Sequence, residues 1–260
     1  MEHVTSKDST TIGYQRSGSG SALLLVHGTT ADHTRWAGVS PRLESLFTVY
    51  ALDRRGRGAS TDAAEYELMR EAEDIACLVE EIDGPVYIVA HSYGAVCSLE
   101  AALLTPRVER MVLYEPPIPT GLAMYPPGIP NRMEAMLDAG EKEAALELFF
   151  TEVVGMSQSE LGRYRQLPMW RGRIELAPTI PREMAIDRHY SFEAARFSGM
   201  EVPARLLLGG DSPPLFQRAT EAVEAALLNA TVAVLPGQQH IAMDTNPEMF
   251  LDEVIGFLVD

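Results

Sequence analysis

Two rhythms of apolar and polar positions run along the chain. Short runs with hardly a polar residue predict strands covered on both faces over 22–26, 47–52, 86–90, 108–114, 204–208 and 231–235. Between them lie helical segments at about 35–46, 67–82, 95–104, 215–227 and 247–258. In 67–82 the apolar positions Leu68, Ala72, Ile75, Ala76, Leu78, Val79 and Ile82 recur at helical spacing. Residues 3–7 and 10–16 read as an edge hairpin around Asp8-Ser9, with Ile12 and Tyr14 alternating with polar neighbours. Alternating strands and helices predict an α/β fold with a mostly parallel eight-stranded sheet and helices on both faces. The alternation stops at Ile118 and resumes near Val202-Pro203. The intervening stretch opens with prolines and then predicts helices at about 131–139, 141–153, 158–166 and 181–197. The expected organisation is a core of residues 1–117 and 201–260 with a helical cap of residues 118–200.

In a parallel sheet the chemistry gathers at the carboxyl ends of the strands. Those ends read His27-Gly28-Thr29, Asp53, Ser92, Glu115, Asp211 and His240. Ser92 stands out because Ala90-His91-Ser92-Tyr93-Gly94 joins a buried strand directly to a helix, with small residues two before and two after the serine. A sharp strand-to-helix turn of this kind exposes the hydroxyl at its bend, the geometry of a nucleophile elbow. Alanine at the first small position departs from the usual glycine. A serine hydroxyl needs a base to take its proton, and a histidine oriented by a carboxylate supplies it. His240 follows the last strand in a glycine-bearing loop and is the expected base. Asp211, which follows the penultimate strand 29 residues earlier, is the expected acid. Glu115 also ends a strand beside the serine's and is the rival acid, or a substrate contact.

Together these segments resemble the α/β-hydrolase superfamily over essentially the whole chain: His27-Gly28, Asp53-x-x-Gly56-x-Gly58-x-Ser60, the elbow, and the order serine, aspartate, histidine. The resemblance implies an oxyanion hole at the backbone amides of Thr29 and Tyr93, with His27 and Gly28 shaping the loop. It implies a structural role for Asp53 and Ser60. It also implies a serine hydrolase that cleaves a small, largely apolar carboxylic ester, lactone or thioester through an acyl-enzyme. The same superfamily contains cofactor-free haloperoxidases, perhydrolases and C–C bond hydrolases. Its hydroxynitrile lyases carry lysine directly after the histidine, where this chain has Ile241. A ligand receptor of low turnover is the alternative outside catalysis.

Composition narrows the partners. A net charge of −16 opposes binding to nucleic acid or to an anionic membrane. No run approaches a membrane span, the start lacks an apolar signal region, and Cys77 and Cys97 suit buried thiols, so a cytoplasmic protein acting on a small molecule is expected. The histidines and cysteines lack metal-site spacing and no phosphate loop appears, so neither metal nor cofactor is expected. The cap holds seven of the twelve methionines, and its apolar side chains Met124, Tyr125, Phe149, Trp170 and Tyr190 are the candidate pocket. With 11 acidic and 9 basic residues, the cap gives no support to a strongly charged substrate.

Overall fold

A computed structural model describes residues 1–259. Its single sheet has eight strands, β1 (Glu2–Thr5), β2 (Thr11–Gly18), β3 (Ser21–Val26), β4 (Phe47–Leu52), β5 (Val86–His91), β6 (Val108–Tyr114), β7 (Ala204–Gly209) and β8 (Ala230–Leu235). Their spatial order is β1-β2-β4-β3-β5-β6-β7-β8. The hairpin β1–β2 joins the sheet antiparallel, and β4, β3, β5, β6, β7 and β8 pair parallel throughout. β3 and β5 lie in the middle, which is why their sequences are almost wholly apolar: Leu23, Leu24, Leu25, Val26, Ile88 and Val89 are fully or nearly fully buried. β8 is an edge, and its burial alternates accordingly.

The helices are α1 (Ser40–Glu44), α2 (Leu68–Glu81), α3 (Tyr93–Ala101), α4 (Ile129–Asp138), α5 (Lys142–Glu152), α6 (Gln158–Tyr164), α7 (Trp170–Leu176), α8 (Ile180–Met184), α9 (Ile186–His189), α10 (Pro214–Ala226), α11 (Ala242–Thr245) and α12 (Pro247–Val259). On one sheet face α2, α3 and α10 bury Ile75, Val79, Val96, Leu99 and Val223. On the other, α1 and α12 bury Leu43, Phe250 and Val254 around Trp36. Among the described residues no helix is long and apolar enough to cross a membrane.

Two expected helices come out broken. Over 35–46 the chain makes a tight turn at His33–Trp36, capped by Asp32 on the Thr34 amide, and then starts α1 afresh with Pro41 in its first turn. Gly38 and the missing N–H of Pro41 prevent one continuous ladder. Over 181–197 the helix ends at Met184, restarts at Ile186, and gives way at Tyr190, whose backbone is extended. The Tyr190 hydroxyl donates to Glu100 on α3, at 2.8 Å. Between β6 and β7 the chain makes six helices, α4 to α9, with their own apolar cluster. Phe150, Tyr164 and Trp170 pack there edge to face or tilted, with centroids 5.2–6.3 Å apart.

Candidate active site

The turn from β5 into α3 places Ser92 at φ 55°, ψ −127°, a conformation that L-residues rarely adopt. It survives because the surroundings leave no alternative. The Ser92 amide donates to the Tyr114 carbonyl at 2.8 Å. A Cβ on Gly94 would lie 2.3 Å from the His27 carbonyl oxygen, and one on Gly28 would lie 2.9 Å from the Ser92 Cβ. The glycine that closes the motif is therefore imposed by neighbouring backbone.

From Ser92 a line of hydrogen bonds runs through His240 to Glu115. His240 Nε2 lies 2.9 Å from Ser92 Oγ, and His240 Nδ1 lies 2.5 Å from Glu115 Oε2. A carboxylate accepts, so Nδ1 carries the proton and Nε2 is left to accept from the serine hydroxyl. Glu115, 0% exposed, uses its other oxygen to accept from the Gly209 amide at 2.7 Å. The expected acid, Asp211, is not the partner of His240. It lies on the surface beyond the end of β7; its amide donates to the Gln238 carbonyl, and its carboxylate makes no hydrogen bond among the described residues. β6 adjoins the serine's own strand β5, and β7 lies one strand farther away. The longer glutamate side chain at the end of β6 spans the remaining gap.

The loop that carries His240 is pinned from three sides. His91 Nε2 donates to the His240 carbonyl at 2.8 Å, the Tyr114 hydroxyl donates to the Gln239 carbonyl, and the Ala242 amide donates to that hydroxyl at 3.1 Å. Phe216 of α10 stacks on the imidazole with centroids 4.3 Å apart. Burial, then the neighbouring His240, pushes the His91 pKa well below the ordinary histidine value, so His91 is a neutral donor. His27 is likewise held neutral by burial and then by the Arg54 guanidinium. Its Nε2 accepts from the Arg54 amide at 3.1 Å while Nδ1 donates to the Gly28 carbonyl at 2.8 Å, joining the loops after β3 and β4. Asp53 accepts from the His33 and Ala59 amides, and Ser60 Oγ donates to the Asp53 carbonyl, which ties down the Gly56–Gly58 loop.

Above Ser92 a cleft encloses about 510 Å³ of atom-free space, open solvent at its mouth included. Its walls include Met124, Tyr125, Phe149, Met184, Ile186 and Phe216. A second lobe, which shares Thr29, Ser92 and His240 with the first, is also lined by Arg35, His91, Phe150, Tyr164 and Arg173.

A sequence profile described as "Alpha/beta hydrolase family" matches residues 23–253. The chain belongs to the alpha/beta hydrolase family. Among its relatives is the 2-(acetamidomethylene)succinate hydrolase of Mesorhizobium japonicum, 28% identical, with 95% of this chain and 91% of that protein covered. The N-formylmaleamate deformylase of Pseudomonas putida is 33% identical over 47% of each chain. Among solved structures, an alpha/beta hydrolase from Sphaerobacter thermophilus superposes with a TM-score of 0.86 at 31% identity, covering 99% of this chain and 100% of that one.

Within this hydrolase the other expected site residues separate cleanly. Thr29 and Tyr93 both line the cleft at Ser92. Tyr93 opens α3, so its amide has no partner within the helix, and neither amide donates elsewhere among the described residues. Of the five candidate pocket side chains, Met124, Tyr125 and Phe149 line the cleft. Trp170 does not: it is buried among the helices between β6 and β7, its indole N–H donating to Glu143 at 2.8 Å. Tyr190 lines a separate groove with Tyr66 and Leu68. Sequence reasoning missed Arg35, Arg173 and Phe216, and it treated His91 only as a residue held in the turn. The position of Phe216 one turn into α10, just past the strand-end loop, was the available signal.

Proposed function

We propose that the protein is a serine hydrolase in which Ser92 is the nucleophile, His240 the general base and Glu115 the acid. The observation that carries this reading is the unbroken line from Ser92 Oγ through the His240 ring to Glu115 at the floor of the cleft. In the first half-reaction His240 Nε2 takes the hydroxyl proton as Oγ attacks the carbonyl carbon, and Glu115 stabilises the imidazolium. The Tyr93 and Thr29 amides donate to the oxyanion; each donor of this kind is worth about 3 kcal/mol in the transition state. His240 then returns the proton to the leaving group, and water activated by the same nitrogen releases the acyl group from Ser92.

The substrate is a small ester with an apolar portion against Met124, Phe149 and Phe216. The helices between β6 and β7 act as a cap that excludes water from the acyl-enzyme. An amide is the second reading, favoured by relatives named for a hydrolase of an acetamido compound and for a deformylase. A fluorophosphonate probe should label Ser92, and a panel of p-nitrophenyl esters should be turned over. Ser92→Ala should abolish labelling and lower kcat by about 10⁴-fold or more. Retention of near-normal turnover by a folded Ser92→Ala variant would remove the serine from the mechanism.

A further inference from the structure

The second lobe beside Ser92 contains two buried arginines and too few acids to balance them. Arg173 enters from α7 and is 6% exposed. Its Nη1 donates to Thr30 Oγ1 at 3.0 Å and to the Thr30 carbonyl at 3.2 Å. Its Nε, also buried, has no partner, and no carboxylate lies within ion-pair distance among the described residues. Asp244 and Asp32 act on it only from farther away. Arg35, 3% exposed, pairs through Nη1 with Asp244 Oδ1 at 2.7 Å, leaving its buried Nε and Nη2 unpartnered; Asp244 Oδ2 is unpartnered as well. Both arginines line the lobe that Ser92, Thr29 and His240 also line.

A buried cation without a counter-charge costs stability, and no carboxylate pairs with Arg173 among the described residues. The aromatic neighbours reduce that cost and also set the direction of what remains. The Arg173 guanidinium carbon lies over the rings of Tyr164 and Phe150, 5.3 and 5.7 Å from their centroids. With the guanidinium against both rings and Nη1 bound to Thr30, Nε and Nη2 are the donors left for a ligand. A planar fork of donors fits a carboxylate in that plane, and an ammonium would not.

We propose that Arg173, with Arg35 behind it, anchors a free carboxylate on the substrate, so that the preferred substrate is an ester or amide with a carboxylate a few bonds from the scissile carbonyl. This rests on Ser92 being the nucleophile, because the two lobes meet at Ser92 and His240. The apolar lobe takes one end of the molecule and the cationic lobe the other. The rival role for Arg173 is structural, bracing the Thr29–Thr30 turn through its bonds to Thr30.

Two measurements separate these roles. In the first, monomethyl succinate is compared with methyl 4-methylpentanoate, in which an isopropyl group replaces the carboxylate, by pH-stat titration. The wild type should prefer monomethyl succinate in kcat/KM by about 10- to 100-fold, and Arg173→Met should erase that preference, mainly through KM. Arg173→Lys, which keeps the charge without the fork, should retain only part of it and serves as the comparison if Arg173→Met does not fold. An equal fall on both esters, or a preference that survives Arg173→Met, overturns the anchor in favour of the brace. In the second, succinate is titrated calorimetrically into Ser92→Ala with and without Arg173→Met. Binding should depend on Arg173 and exceed that of chloride; equal binding of chloride, or no dependence on Arg173, overturns the proposal. This titration needs no turnover, so inactivity on both esters would count against Ser92 as nucleophile while the titration still decides the anchor.

Discussion

Glu115 follows the last residue of β6 with its backbone at φ 47°, a strained setting for a side chain of its size. The strain is held in place because both carboxylate oxygens are bound, one by His240 Nδ1 and one by the Gly209 amide. Gly209 must be glycine for this approach, since a Cβ there would meet Ser212 Oγ at 2.5 Å and the Gln238 carbonyl at 2.6 Å. Replacing Glu115 with glutamine keeps the shape but lets an amide N–H face Nδ1, favouring the wrong tautomer of His240. Glu115→Gln should therefore lower kcat by up to about 10⁴-fold, whereas Asp211→Asn should change it less than about twofold. Steady-state kinetics on one p-nitrophenyl ester rank the two variants, and a reversed order would return the acid role to Asp211. The serine and the histidine were legible in the sequence because each sits in a strand-end loop of distinctive composition. The carboxylate that faces His240 was not, since Glu115 and Asp211 both end strands and only the spatial order β5-β6-β7 separates them. Arg173 was hidden for a related reason. The near balance of charges in the cap says nothing about which single arginine lacks a partner.

At the scale of elements, the helices between β6 and β7 are fastened to the sheet by buried ions as well as by apolar contact. Arg54, in the loop after β4, forks onto Glu71 of α2 with two bonds of 2.7 Å and reaches Glu183 of α8 at 2.5 Å. Arg57 also donates to Glu183, and the Tyr66 hydroxyl donates to Glu71. Burial raises the Glu71 pKa, but Arg54 and Arg57 outweigh it and hold the carboxyl down to about 2. Removing Glu183 leaves two desolvated guanidinium groups, Arg54 and Arg57, to share the single carboxylate of Glu71. Glu183→Ala should cost about 3–5 kcal/mol in urea-induced unfolding and expose residues 118–200 to limited proteolysis before the core. A loss below about 1 kcal/mol would mean that apolar packing alone docks α8. These helices were also the least legible elements. The inner strands of the sheet are buried on both faces and advertise themselves as apolar runs, and β4 and β6 fall on the residues expected. α7 was missed because seven residues bounded by Pro168 and Pro178, with Gly172 inside, leave too few turns for a helical period to register.

At the scale of the whole molecule, two buried neutral histidines make folding sensitive to pH on the acid side. His27 is held between the His27–Thr29 turn and Arg54, with Arg57 also acting on it; His91 faces His240, Arg35 and Arg173. In both, burial disfavours the charged form, so the folded pKa lies well below the unfolded value of about 6.5. The unfolded chain therefore binds more protons as pH falls through that value. Their contribution is complete above it and is lost progressively below it. Between pH 7 and 5.5 the loss should be at most about 1.2 kcal/mol for each histidine, the limit reached when neither takes a proton in the folded state. An opposing trend comes from the net charge of −16, whose self-repulsion eases as the pH approaches the isoelectric point near 4.8. Salt separates the two, because at 1 M the screening length is only about 3 Å and long-range repulsion between surface carboxylates is suppressed while buried groups are scarcely affected. Urea titrations in 1 M sodium chloride should thus show the full decrease between pH 7 and 5.5, and at low salt a smaller one. Stability that stays flat or rises on acidification in high salt would mean that one or both histidines accept a proton in the folded protein. The donor from His91 to the His240 carbonyl would survive that change, but the Nε2 acceptor of His27 for the Arg54 amide would not.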